Sequence, residues 1–208
     1  MYKLAADTFV ISLARDVERR AAFQAQARAV DLVGWSYFDA FDGASSRLMT
    51  GNPSPHGRPG RLDGWPLLAG EIGCALSHIA IWRAMRHARQ NTLCILEDDV
   101  EFLEPETFWD RLKAFFSALP PKAVALHLSG EVEKAPEPVN DHVSRVVHTY
   151  GTNAIIYLPG ALDIVLAHPE IDTMREPADW LLLPLFATGR VYCPRVPLMR
   201  HTLAKGIS

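Results

Sequence analysis

Apolar positions along the chain fall into short unbroken runs separated by stretches with helical spacing. Residues 8–13, TFVISL, form a compact β-rich run, and Asp16 is placed to cap a helix reaching about residue 30, with Phe23, Ala27 and Val30 on one face. Residues 35–41, WSYFDAF, read as a second strand closed by the Asp42-Gly43 turn signal. The strongest helical stretch covers residues 70–90. Residues 93–96, LCIL, follow with no polar alternation, as expected of a central strand buried on both faces. Pro105 opens a helix that Pro120-Pro121 stops. Further strands are predicted at 123–129, 153–158 and 190–193, an edge strand at 142–149, and a helix from Pro159 to residue 168. Strands alternating with helices predict one α/β domain over residues 1–208, with a mostly parallel central sheet flanked by helices.

Two segments break this rhythm. Residues 44–69 gather Pro53, Pro55, Pro59 and Pro66 among Gly51, Gly57, Gly60 and Gly64. A loop this long inside a compact domain predicts either a functional lid or a disordered segment. Trp65 within it either stacks on a sugar or anchors the loop to the core. Residues 130–141 read as an exposed loop.

Composition narrows the function classes. At 49% apolar, 22% charged and a net charge of −3, the chain is an ordinary globular protein without the basic field that nucleic acid demands. No apolar run approaches the roughly 20 residues needed to span a bilayer. The short N-terminal run lacks a small-residue cleavage site and reads as a strand, not a signal peptide. Cys74, Cys94 and Cys193 are an odd count without CxxC spacing. They predict reduced thiols in the cytoplasm, not a disulfide framework or a zinc site. Arg195, Arg200 and Lys205 lie among Leu198, Met199 and Leu203, a mix read either as a C-terminal tail or as a peripheral contact with an anionic membrane.

The candidate chemistry sits at Glu97, Asp98 and Asp99, which follow the LCIL run directly. In open α/β sheets ligands bind beyond the carboxyl ends of strands. Period-two geometry places Glu97 and Asp99 on one face and Asp98 on the other. Carboxylate oxygens are the hard ligands that Mg²⁺ and Mn²⁺ prefer, with substrate phosphates completing the shell. The competing reading is a solvated turn. In the preceding helix His78 points about 140° away from Arg83, onto the side of Cys74, Ile81 and Met85, with Ser77 beside it. A pocket lining and a core histidine satisfied by a backbone carbonyl both fit that placement. Arg15, Arg19 and Arg20 follow the first strand and suit either a phosphate or solvent.

In this order the segments FVISLARDVERR, FDAFDG, LLAGEIGCALSHIAIW, CILEDDVEF, YGTNAIIYLPGALDIVL and PADWLL resemble glycosyltransferase family 25. They span residue 9 to about residue 182. The resemblance implies a GT-A fold and inverting transfer of a hexose, galactose or glucose, from a UDP-sugar to a glycan acceptor in lipopolysaccharide or surface polysaccharide synthesis. It implies Mn²⁺ or Mg²⁺ as cofactor, and an enzyme reaching lipid-borne acceptors peripherally at the inner membrane. Glu97, Asp98 and Asp99 match the family's acidic motif, with Glu97 and Asp99 as metal ligands and Asp98 toward the donor. Asp42, Gly43, Gly73, Ser77 and His78 match the donor-binding segments, joined by Arg15 and by Ser12, where the family usually carries Asn. Asp179 matches a late aspartate and is the candidate general base, with an N-cap as its competing role. Asn153 and Pro159 also depart from the family pattern. Some family members have lost activity, so a GT-A-like binding module without turnover is the alternative.

Overall fold

The computed structural model describes residues 3–45, 64, 66–88, 92–129 and 135–202. Most of the 44–69 loop, Trp65 included, lies outside the described residues, as do Leu203 and Lys205. Ten strands are described: β1 (Asp7–Ser12), β2 (Trp35–Asp39), β3 (Leu93–Glu97), β4 (Val100–Phe102), β5 (Ala125–His127), β6 (Glu137–Pro138), β7 (Val143–Arg145), β8 (Ala154–Tyr157), β9 (Val191–Pro194) and β10 (Met199–His201). The helices are α1 (Val17–Ala29), α2 (Ala69–His87), α3 (Phe108–Ser117), α4 (Ala161–Leu166) and α5 (Leu183–Ala187), with a 3₁₀ turn at Trp180–Leu182 before α5.

Eight strands form one sheet in the order β2-β1-β3-β8-β5-β9-β7-β6. Six of these eight run in one direction, and β8 and β7 oppose them. The expected α/β domain with its mostly parallel sheet is therefore present. The expected edge strand is not at the edge: β7 sits one strand in, because β6, inside the segment read as loop, pairs with its outer side. Asp16 occupies the N-cap position of α1 without a side-chain cap.

β3 is the central strand that its unbroken apolar run predicted. Leu93 through Leu96 are buried, with Ile95 in the core layer under α2 and Cys94 and Leu96 in the layer under α1 and α3. The amphipathic reading of α2 holds as well. Ile72, Ile79, Trp82 and Met85 are buried, while Arg83 and His87 face water. At about 25 cal/mol per Å² of apolar surface, each such side chain stabilises the fold by about 1.5–3 kcal/mol before entropy is counted.

Parallel pairing in register brings three strand ends together. Ser12 pairs with Asp39 and Ile11 with Glu97, so β1, β2 and β3 finish side by side. β8 enters antiparallel beside β3, with Ala154 opposite Leu96, which brings the chain just before β8 to the same rim. A second, two-stranded sheet pairs β4 with β10. This corrects the lipid-surface reading of the C-terminal segment, because Leu198 and Met199 are buried in the core and Arg200 pairs with Glu101 at 2.6 Å. Among the described residues no helix is long and apolar enough to cross a membrane.

Candidate active site

β3 ends at Glu97, and Asp98 and Asp99 form the turn into β4. The alternation expected through the triplet therefore stops after its first member. Glu97 turns toward α2. Its Oε1 accepts a hydrogen bond from Thr152 Oγ1 at 2.5 Å, lies 3.3 Å from His78 Nε2 and 3.8 Å from Cys74 Sγ. Asp98 and Asp99 instead converge on one cation from α1. The Arg19 guanidinium pairs with Asp98 and lies 2.8 Å from Asp99 Oδ2. His201 Nε2 lies 3.0 Å from the same Asp99 oxygen. Consecutive carboxylates thus coexist because a positive side chain stands between two of them.

The electrostatics follow this division. Burial pushes the Glu97 carboxyl up, but His78, Thr152 and His201 outweigh it, leaving Glu97 below the usual carboxylate range. Burial raises the Asp98 carboxyl despite Ser12 and Arg19, and burial with the Glu97 charge raises that of Asp99. Asp42 is held down to about 2 by hydrogen bonds from Arg15 and Ser45. Arg20, read as suited to either a phosphate or solvent, is committed to the scaffold. It donates to the Ser12 carbonyl at 2.9 Å, pairs with Asp39 at 2.5 Å and lies over the Tyr37 ring.

The segment after β2 crosses the first turns of α2 at backbone contact distance. A Cβ on Gly43 would meet the Ala69 carbonyl oxygen at 1.8 Å, and one on Gly73 would meet the Phe41 carbonyl oxygen at 2.4 Å. Ser77 secures the crossing, donating to the Gly73 carbonyl at 2.7 Å and accepting from the Phe41 amide at 3.0 Å. Ser77 and His78 are fully buried and line neither cavity described below. Ser77 therefore fixes the crossing from behind the cavity wall, and His78 meets Glu97.

Two cavities open on either side of Glu97. One, of about 310 Å³, is lined by Ser12, Arg15, Arg19, Asp42, Gly43, Gly73 and Asp98 among others. The second, of about 420 Å³, is lined by Tyr150, Thr152, Asn153, Pro177, Asp179 and His201 among others. Gly70, Cys74 and Glu97 border both. The expected donor residues thus collect in one cavity, apart from Ser77 and His78, and Asp179 lies in the other. Asp179 also stands at the start of the 3₁₀ turn, where Oδ1 accepts from the Trp180 amide at 3.1 Å. Its two competing roles are compatible, since one carboxylate oxygen accepts the cap.

Two donor sets on this rim invite a cation. Among the described residues Asp99 Oδ1 is buried without a hydrogen-bond partner, and an imidazole nitrogen borders Oδ2 of the same carboxylate. Hard oxygens plus an imidazole suit Mn²⁺. The orphaned oxygen, which costs about 1–3 kcal/mol if left unsatisfied, is the observation that makes Asp99 fit such an ion. Glu97, expected to share that ion, is instead engaged by α2 and Thr152. The second set, Cys74, His78 and Glu97, has its ligand atoms within 4.8 Å of one another.

Sequence reasoning missed Thr152, His201 and Cys74 as members of the site. Thr152 had no local signal. The signal for His201 was an imidazole in an alternating run read as a tail. For Cys74 it was the four-residue helical spacing to His78, which puts both on one side.

Residues 5–155 match the family model described as glycosyltransferase family 25 (LPS biosynthesis protein). A glycosyltransferase 25 family member from Drosophila melanogaster is 31% identical over 175 residues, covering 77% of this chain and 28% of that protein. The human inactive glycosyltransferase 25 family member 3 is 34% identical over 105 residues, covering 46% of this chain and 17% of its own length. The chain thus spans less than a third of these curated relatives. A crystal structure of a glycosyltransferase involved in the glycosylation of the major capsid of PBCV-1 aligns over 96% of this chain and 93% of its own, at 12% identity and a TM-score of 0.46.

Proposed function

Because the chain belongs to glycosyltransferase family 25, we propose that it is an inverting, metal-dependent hexosyltransferase using a UDP-sugar, with galactose or glucose as the sugar. The acceptor is a glycan, and the setting is lipopolysaccharide or surface polysaccharide synthesis. The observation that carries this reading is the acidic end of β3, standing between two cavities that share Cys74 and Glu97.

The cavity with Arg15, Arg19, Asp42 and Asp98 suits the donor. Its two arginines offer forked donors to a diphosphate. Asp42 orients Arg15 through their ion pair. Asp99, with His201 beside it, would hold Mn²⁺ or Mg²⁺, an ion that supplies charge relief for the departing nucleoside diphosphate. In the other cavity Asp179 takes the proton of the acceptor hydroxyl as that oxygen attacks the anomeric carbon from the face opposite the diphosphate. One carboxylate on the acceptor side suffices for inversion, and Asp98 and Asp99 are poor bases while they hold cations.

The test is release of nucleoside diphosphate from a panel of nucleotide sugars with Mn²⁺ and a glycan acceptor. The expected result is turnover with a UDP-hexose that EDTA abolishes and Asp99→Asn nearly abolishes. Full activity of Asp99→Asn, or in EDTA, would overturn the metal assignment. A second reading is a nucleotide- or glycan-binding module without turnover. The internal neutralisation of Asp98 and Asp99 by Arg19, and a relative named inactive, favour it. Stabilisation by UDP-sugars without diphosphate release would select that reading.

A further inference from the structure

Cys74 has two neighbours of complementary ligand chemistry. One turn along α2 stands His78, and across from both stands Glu97 at the end of β3. The three are a thiol, an imidazole and a carboxylate, one of each donor type that zinc accepts. Tetrahedral coordination at the bond lengths usual for zinc separates nitrogen from oxygen by about 3.4 Å and sulfur from oxygen by about 3.6 Å. The observed separations are 3.3 Å for His78 Nε2 to Glu97 Oε1 and 3.8 Å for Cys74 Sγ to the same oxygen. The third edge, sulfur to nitrogen, lies within 4.8 Å and must close to about 3.6 Å when the ion binds. Two edges of the coordination tetrahedron are therefore already built.

We propose that Cys74, His78 and Glu97 form a binding site for a thiophilic divalent cation of the zinc class, separate from the hard-cation position at Asp99. The fourth coordination position opens on the cleft, because Cys74 and Glu97 border both cavities. Three protein ligands with one open position take a water or a substrate oxygen. A hard ion such as Mn²⁺ has no preference for this set, because the thiolate is a soft ligand. The two sites thus sort cations by softness across Glu97.

Binding forms a metal–sulfur bond and releases the Cys74 thiol proton to solvent. The His78 lone pair at Nε2 must also be presented to the metal, which moves the ring proton to Nδ1. Among the described residues that nitrogen is buried without a partner, which costs affinity. Thr152, now donating to Glu97 Oε1 at 2.5 Å, gives up or shares that oxygen. Where the transferase reading holds, an ion at this junction also blocks the line between donor and acceptor.

Cobalt is the probe, since thiolate coordination to Co²⁺ produces a near-ultraviolet charge-transfer band. The chain, stripped with chelator, is titrated with Co²⁺ alone and then with Zn²⁺. The expected result is one equivalent of thiolate-bound Co²⁺, displaced by Zn²⁺ and untouched by excess Mn²⁺. Loss of an outer-shell partner costs about 10–100-fold in affinity, so loss of the ligand itself in Cys74→Ser should weaken Co²⁺ binding by about 100-fold or more. Glu97→Gln should weaken it as well, with circular dichroism confirming that both variants fold. Asp99→Asn should leave the band intact. Cys94 and Cys193 are fully buried in the core and supply no alternative thiolate. Absence of the band, its persistence in Cys74→Ser, or its loss in Asp99→Asn would overturn the proposal. None of these readouts requires turnover, so the site fails or stands independently of the transferase reading.

Discussion

Gly73→Ala and Gly70→Ala place the same methyl group on the same helix, three residues and just under a full turn apart. A Cβ at Gly73 meets the Phe41 carbonyl oxygen at 2.4 Å and the Gly43 amide nitrogen at 3.0 Å, whereas one at Gly70 meets nothing within 4 Å among the described residues. Both changes gain helix propensity, up to about 1 kcal/mol each. Only Gly73→Ala adds an overpacking cost, about 1–3 kcal/mol, and it falls on backbone atoms that cannot rotate away. The propensity gain largely cancels in the comparison, leaving the steric cost as the gap between the two variants. At about 2–4 °C per kcal/mol for a chain of this size, Gly73→Ala should melt about 2–12 °C below Gly70→Ala. Gly70→Ala should melt at or slightly above the parent. Thermal unfolding followed by far-ultraviolet circular dichroism reads both. Equal melting temperatures would refute the claim that the segment after β2 crosses α2 at backbone contact distance, and with it the account of why glycine stands at 43 and 73.

Asp179→Asn keeps an oxygen to accept the Trp180 amide, so the turn should survive while proton removal is lost. Turnover should fall by about 10²-fold or more at unchanged donor affinity. Normal turnover would move the base elsewhere, and lost donor affinity would make Asp179 a donor residue. The Asp42 carboxyl, depressed from 3.8 to about 2 chiefly by Arg15, should contribute stability that is full above about pH 4 and is lost as pH falls toward 2. Denaturant titrations between pH 5 and pH 2.5 should therefore show a smaller loss of stability in Asp42→Asn than in the parent. Identical slopes would mean that the Arg15 pair does not persist in solution.

The local pattern of the chain was enough for the elements that bury themselves. The unbroken LCIL run marked a central strand because a strand covered on both faces needs no polar side. The periodicity of α2 placed Ser77 and His78 on its buried side and Arg83 on its wet side, because a helix repeats its face every 3.6 residues whatever surrounds it. The acidic triplet marked the carboxyl end of β3, because charged side chains interrupt an apolar run where the strand stops. Which carboxylate meets which partner was a tertiary decision. Period two holds only while the strand continues, and β3 stops at Glu97. Arg19 lies 80 residues from Asp99, His201 lies 102 residues from it, and Thr152 lies 55 residues from Glu97. The first meeting depends on α1 packing beside β4, the second on β10 pairing with β4 and the third on β8 entering antiparallel beside β3. A short apolar run specifies that a strand forms, but not its neighbour or its direction. Those follow from how all the buried faces are covered at once, and so the two sets of candidate cation ligands at the rim come together only in the folded chain.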